Sequence, residues 1–280
     1  MLALSPRAVD AIFSAIEGYL PQHFDGHPLG CHRPRTPDRA CFLGILIRLV
    51  TGCSWDVAGK ISNTSESSLR RRRDEWEEAG VFASLCGESI AAYDRVIGLD
   101  LSDVAIDGSL HKAPFGGTRS GQGTGPNPTD RGKCGWKWSI ATDRQGVPFA
   151  WVEAPANVND STLFVPTLRA IAARGLLVDV ETLHLDRGYN NQAIRELCAQ
   201  LHIESVIPKR RVKGQKKAKF DKRSLGLRWP VERTNSWLSN FGQLRRNTDR
   251  FTSHRNSAIA FAIALIITVK LIKWAKRWNE

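Results

Sequence analysis

Between Asp103 and Pro208 the sequence changes its hydrophobic period repeatedly, and few folds accommodate the resulting pattern. "DVAIDGSL" (103–110), "GWKWSIATD" (135–143) and "VPFAWVEA" (147–154) are short apolar runs and read as strands, the last two joined by a turn at Arg144 to Gly146. "DSTLFVPTLRAIAARG" (160–175) reads as a helix, with Asp160 or Ser161 as cap and Gly175 as stop. "ETLHLDRGY" (181–189) is a strand again, "NQAIRELCAQL" a helix and "IESVIP" a closing strand. Three strands followed by alternating helix and strand predict an α/β fold, a mixed sheet flanked by helices.

The chain before about residue 98 reads as all-helical. In "SPRAVDAIFSAIEGYL", Ser5 is a candidate N-cap, Pro6 fits the first helical position, and Val9, Ile12, Phe13 and Ile16 form an apolar stripe. "TPDRACFLGILIRLVTG" repeats the design, starting at Thr36 and Pro37 and stopping at Gly52. "SWDVAGKI" and "LRRRRDEWEE" flank a polar turn at Ser62 to Ser65, the outline of a helix-turn-helix. Near the C-terminus, the charge-free and, but for Thr268, apolar run from Ala258 to Val269 falls short of the roughly 20 residues that span a bilayer, so a buried helix is expected and no membrane partner. The expected division is 1–98 helical and helix-turn-helix-like, 99–254 the mixed sheet, and 255–280 a C-terminal helix packing on the core.

A formal charge of +12 over 280 residues favours an anionic partner, with nucleic acid first. The six cysteines form no CxxC pair, and the first thirty residues lack the basic and apolar succession of a signal peptide. Reduced thiols and a cytoplasmic, nucleoid-associated protein are therefore expected. His23, His27, Cys31 and His32 could be weighed as a zinc group, but Pro21 and Pro28 break the register and no second ligand pair follows.

Three carboxylates stand at informative places. Asp107 ends the first predicted strand, Asp186 ends a later one, and Glu232 opens a helix. Acids at strand ends are costly to half-bury unless paired or bound to a cation. If they converge, three hard oxygen donors suit Mg²⁺ or Mn²⁺ rather than zinc. Each acid could instead merely cap a helix or pair with a neighbouring arginine.

The blocks "AIDGS", "LHLDRGY" and "RWPVERTNSWL" resemble the three acidic blocks of bacterial insertion-sequence DDE transposases of the family-four/family-five type. The resemblance spans about Asp103 to Phe251, and the helical N-terminal part is similar as well. It implies a ribonuclease-H-like core, with Asp107, Asp186 and Glu232 as the catalytic, metal-holding triad, and it matches Arg228 to the arginine four residues before the glutamate. The tyrosine and lysine that accompany the related pattern are replaced by Leu225 and Ser239, so no role passes to those positions.

Candidate DNA contacts are spread more widely. Lys209 to Arg223 holds nine basic residues against Asp221 alone, among them Lys209, Arg210, Arg211, Lys213, Lys216 and Lys217, and would make binding strongly salt-dependent. Arg119, Arg131 and Lys133 lie in the glycine-rich stretch 116–135, read as a mobile hairpin tip; Arg70 and Arg71 suit a recognition helix if Leu69 and Trp76 face the core; Arg228 and Arg233 flank the third acid. The tryptophans at 136, 138, 151, 229 and 237 are expected to be mostly core. No Walker sequence is present, and transesterification needs no ATP.

These features predict a metal-dependent transposase, an endonuclease and strand-transfer enzyme. It would bind double-stranded DNA at terminal inverted repeats and at the target, and act as a homo-oligomer that handles two ends. A nuclease of the same core that cuts without joining, and a non-catalytic DNA-binding regulator derived from such an enzyme, are the competing readings.

Overall fold

A computed structural model describes residues 5–23, 34–115, 123–208 and 227–278. Contacts divide the chain into two compact units, Met1–Tyr93 with Leu238–Glu280, and Asp94–Trp237. The expected division was three consecutive segments; the observed first unit is discontinuous, because the last helix packs with the N-terminal helices.

The first unit is helical. Helix α1 (Pro6–Glu17) starts as its sequence predicts: Pro6 opens it, and Ser5 Oγ accepts from the Ala8 amide. Helix α2 (Asp38–Thr51) ends at Gly52, which has a φ of +71° and where a Cβ would lie 2.6 Å from the Gly242 carbonyl carbon, leaving no room for a side chain. Helices α3 (Trp55–Ser62) and α4 (Glu66–Glu78) flank the left-handed Asn63, and Ser65 caps α4. Leu69 and Trp76 are fully buried while Arg70 and Arg71 are exposed, as a helix-turn-helix orientation requires. Helix α5 (Val81–Val96) follows.

Late in the chain, α9 (Gly242–Arg245) and α10 (Thr252–Trp278) complete this unit; α6 (Asp160–Ala172), α7 (Gln192–Gln200) and all but the end of α8 (Trp229–Ser239) belong to the other. By length and hydropathy alone, α10 could cross a membrane. Its apolar stretch is instead covered by protein: Ile259, Ile263, Leu265 and Ile267 are fully buried. Phe261 packs on Phe42 and Phe82, with ring centroids 5.8 and 5.1 Å apart. A segment apolar all round is stable only when surrounded, which explains why it joins the N-terminal helices.

The second unit is built on a mixed sheet. Its strands are β1 (Asp103–Lys112), β2 (Gly125–Pro126), β3 (Cys134–Thr142), β4 (Pro148–Pro155), β5 (Thr182–Leu185) and β6 (Glu204–Val206). Across the sheet the order is β4-β3-β1-β5-β6; β1, β3 and β4 form an antiparallel meander, while β5 and β6 run parallel to β1. The short β2 extends the β4 edge of β3. Helices α6 (Asp160–Ala172), α7 (Gln192–Gln200) and α8 (Trp229–Ser239) accompany the sheet.

On one face, Ser109 and His111 of β1 lie opposite Trp138 and Trp136 of β3. Trp138 donates from Nε1 to Asn235 Oδ1 of α8 at 2.8 Å. On the opposite face, Ser139 accepts from Thr167 Oγ1 of α6.

Four local expectations need correction. Strand β1 does not end at Asp107 but runs on to Lys112, because its antiparallel ladder with β3 continues to the Lys112–Gly135 pair. The strand predicted over 181–189 stops at Leu185, where the chain turns into a 3₁₀ helix over Arg187–Tyr189 that Asp186 caps by accepting from the Arg187 amide. Helix α6 is capped by Asn159 rather than Asp160 or Ser161. Within the stretch 116–135, residues 123–135 are ordered by β2 and by Asn127, whose Oδ1 accepts from the amide and the hydroxyl of Thr129.

Candidate active site

Strand pairing places the first two acids side by side. Ile106 pairs with Leu185 in the parallel β1–β5 ladder, and Asp107 and Asp186 are the next residues on each chain. Glu232 lies in the first turn of α8, whose start is set by Trp229 and Pro230. Two links hold α8 to the hairpin between β3 and β4: Thr234 Oγ1 donates to the Gly146 carbonyl at 2.6 Å, and Arg233 Nη2 donates to the Gln145 carbonyl at 2.5 Å.

The guanidinium of Arg228 meets all three acids. Nη2 lies 3.6 Å from Asp107 Oδ2 and 3.3 Å from Glu232 Oε1, and Nη1 lies 3.4 Å from Asp186 Oδ1. The acids are graded in exposure, with side chains 19% exposed for Asp107, 42% for Asp186 and 56% for Glu232. Burial pushes the Asp107 carboxyl up to about 6; Arg228 and the Gly108 amide oppose that shift, and Asp186 and Asp160 add to it. A half-buried carboxylate among other carboxylates requires a cation, and here a guanidinium supplies it.

The donor set is chemically suited to a divalent ion: three carboxylates from three segments, already gathered around positive charge. Among the described residues, no three acid, histidine or cysteine side chains converge tightly enough to hold an ion as they stand. Each acid is turned to Arg228 instead, so an ion held there would have to take the place of the guanidinium.

The other expected contacts are dispersed. Arg70 is exposed and pairs with Glu66, one turn earlier on α4. Arg71 is exposed beside an open recess of about 620 Å³ lined also by Arg35, Thr36, Ser65 and Ser68. Arg131 and Lys133 are exposed on the turn between β2 and β3. Arg233 lies over Trp229 and Trp237, 4.4 and 4.7 Å from their ring centroids, in addition to its bond to Gln145. Arg119, Lys209, Arg210, Arg211, Lys213, Lys216 and Lys217 lie outside the described residues, as do His27, Cys31 and His32. Trp136 and Trp138 are fully buried as expected, but Trp229 is 52% exposed and lies beneath Arg233.

Several polar side chains near the acids were not singled out from the sequence. Lys137, on the face of β3 opposite Trp136 and Trp138, is buried, and its Nζ donates to Asp160 Oδ1 at 2.6 Å and to the Val158 carbonyl at 2.8 Å. A lysine inside the apolar run "GWKWSIA" was the available signal. Asp160 approaches so closely that a Cβ on Gly108 would sit 2.5 Å from its Oδ1, which accounts for the glycine after Asp107. His184 and Asp103, one layer behind the acids, gave no sequence signal.

A sheet in this strand order, with one acid midway along β1 and another just past the end of the parallel β5, is of the ribonuclease-H-like class. Residues 98–267 match the family described as "Transposase DDE domain", and the chain belongs to that family. Residues 9–86 match a second family, "Putative transposase of IS4/5 family". The protein is therefore an insertion-sequence DDE transposase, of an enzyme class that cleaves and joins DNA with divalent metal ions.

Two Burkholderia cepacia proteins are similar. A "Putative transposase for insertion sequence element IS402" is 38% identical over 149 residues, covering 51% of this chain and 67% of that protein. An "Insertion element IS402 uncharacterized 16.2 kDa protein" is 30% identical over 118 residues, covering 42% and 80%. Among solved structures, the Mos1 mariner paired end complex with Mn is 12% identical, with a TM-score of 0.32 and coverage of 96% of this chain and 88% of that one. The piggyBac transposase synaptic complex with hairpin DNA is 10% identical, with a TM-score of 0.39 and coverage of 94% and 71%.

Proposed function

We propose that this transposase binds the terminal inverted repeats of its element, cleaves strands at the element ends and joins the freed 3′-hydroxyls to target DNA. The observation that carries this reading is the meeting of Asp107, Asp186 and Glu232, from two strands and a helix, around the Arg228 guanidinium. These three carboxylates would hold Mg²⁺ or Mn²⁺. A pair of such ions, when bound, supplies Lewis-acid stabilisation to the attacking and leaving oxygens of an in-line phosphoryl transfer. Asp107 and Asp186 contribute rigid ligands from adjacent strands, and Glu232 contributes one from the end of a helix. Arg228, released from the acids, is within reach of a phosphate bound in front of them and pairs with it through two parallel N–H donors.

Binding along the duplex falls to the exposed cations. Arg71 on α4 has no ion pair among the described residues and suits a groove or phosphate contact; Arg131, Lys133 and the basic stretch 209–223 add sequence-independent attraction. Arg70 and Arg233 contribute less, since Glu66 and the Gln145 carbonyl already engage them. Two ends must be handled together, so the working form is a dimer or a larger synaptic assembly. Its place is the cytoplasm, on the nucleoid.

A strand-transfer assay with pre-cut ends in Mg²⁺ tests this reading. The wild-type chain joins the ends to target DNA, and Glu232→Gln does not. Cutting without joining would favour the nuclease reading, and joining by Glu232→Gln would overturn the role of the triad.

A further inference from the structure

His184 is almost wholly buried on β5, in the part of the strand that leads into Asp186. Both of its ring nitrogens are engaged. The backbone amide of Leu227 donates to Nδ1 at 2.9 Å, and Nε2 lies 2.6 Å from Asp103 Oδ1. A backbone amide can only donate, so Nδ1 is the acceptor and the ring proton resides on Nε2, facing Asp103. The other oxygen of Asp103 lies 3.5 Å from Arg144 Nη1.

The residues tied together this way belong to the same three segments that carry the acids. Asp103 precedes Asp107 on β1 by two side-chain repeats and shares its face. His184 precedes Asp186 by one such repeat. Leu227 is joined by one peptide bond to Arg228, the residue that touches all three acids. The polar line Asp103–His184–Leu227 therefore repeats, one layer behind the acids, the three-segment junction that the acids make in front. On the far side, Glu232 donates its amide to the Arg228 carbonyl at 3.1 Å; on the near side, the hydrogen bond from the Leu227 amide to His184 sets where the chain arrives at Arg228.

We propose that His184 is a positioning residue: it holds Leu227, and through it Arg228 and the start of α8, at the location the three acids require. This rests on the catalytic reading of those acids. Misplacement of a reacting group by about 1 Å can cost about 100-fold in rate, so a buried tie at this point has a large effect on turnover.

Three variants separate the two bonds. Asn at this position places an amide oxygen where Nδ1 stood and keeps the acceptor for Leu227. Gln reaches toward Asp103 and abandons Leu227, and Leu makes neither bond. Strand transfer of pre-cut ends should fall by about 10- to 100-fold in kcat for His184→Leu and His184→Gln, with KM for DNA changed by less than about threefold. His184→Asn should stay within about fivefold of wild type.

Hydrogen–deuterium exchange at the Leu227 amide gives a second readout that needs no catalysis. Protection should be present in the wild-type chain and in His184→Asn, and lost in His184→Gln and His184→Leu. The proposal is overturned if the wild-type Leu227 amide is unprotected, or if Asn and Gln variants of matched thermal stability have equal kcat. A wild-type chain that shows this protection yet has no metal-dependent activity counts against the catalytic reading and leaves the tie between His184 and Leu227 standing.

Discussion

Arg228 Nη2 lies 3.6 Å from Asp107 Oδ2, yet burial outweighs this partner and raises the Asp107 carboxyl to about 6. The folded-state value lies above the unfolded one of 3.8, so between about pH 4 and pH 6 the native state holds a proton that the unfolded state has released. Stability of the metal-free protein should therefore fall as pH rises through that window, by at most about 3 kcal/mol. Asp107→Asn removes the penalty, and thermal unfolding in chelator should show it melting a few degrees above wild type at pH 7 and level with it at pH 4. A variant that melts below wild type at pH 7 would contradict this account of the carboxyl.

Removing the guanidinium should act in opposite directions on ion binding and on DNA. Arg228→Gln takes away the positive charge that the three acids now share. Titration calorimetry with Mn²⁺ should then show affinity tightened severalfold, a gain of about 1 kcal/mol. Strand transfer should fall at least 10-fold, because the phosphate loses its cation. Unchanged Mn²⁺ affinity would mean that the guanidinium and the ion do not compete.

The helical unit has its own buried charge cluster. Asp249 is 5% exposed, and its Oδ1 lies 3.5 Å from Arg48 and 3.3 Å from Arg73. Burial raises its carboxyl, but Arg48 and Arg73 reverse the effect and hold it below the usual range. Its contribution is therefore present above the unfolded carboxylate value and lost as pH falls through the lower folded one. Asp249→Ala strands Arg48 in the interior and should cost roughly 3–5 kcal/mol in chemical denaturation. A loss below about 1 kcal/mol would show that the pair is dispensable.

Much of this arrangement was legible from the residues. The shift from a 3.6-residue to a two-residue period near Asp103 marked where helices give way to the sheet. The position of Glu232 followed from a proline-led helix start, whereas Asp107, expected at a strand end, lies midway along β1, since Gly108 to Lys112 continue the ladder with β3. Asp186 stands out in "LHLDRGY" as an acid closing an apolar run, but the strand is shorter than the pattern predicts: a 3₁₀ turn at Arg187–Tyr189 ends it without a change in hydrophobicity that the sequence shows. The Asp103–His184–Leu227 line could not be read, since it depends on parallel pairing between segments about eighty residues apart, which local patterns do not encode. Strand β2 was missed for a related reason: Gly125 and Pro126 have no strand preference and pair only because Asn127 closes the turn behind them.

The hairpin between β3 and β4 offers a test of how α8 is held. Gly146 has a φ of +71°, and a Cβ there would lie 2.9 Å from Arg233 Nη2 and 3.0 Å from the Pro230 carbonyl oxygen. Gly146→Ala should therefore cost more than about 1 kcal/mol and shift α8, lowering strand transfer together with stability. Gly175 also has a positive φ, of +73°, but a Cβ there meets nothing within 4 Å. Gly175→Ala should cost stability alone, by about 1 kcal/mol, and leave the rate of transfer unchanged.

The central claim is that Asp107, Asp186 and Glu232 hold ions at one place. Iron(II) can substitute for Mg²⁺ and, with ascorbate and peroxide, generates hydroxyl radicals that cut the backbone beside the bound ion. Mapping the fragments by mass spectrometry should reveal cuts near all three positions, suppressed together by excess Mn²⁺ and absent in Asp107→Asn. Cuts near only one of the three, or cuts that persist undiminished in Asp107→Asn, would contradict a shared site.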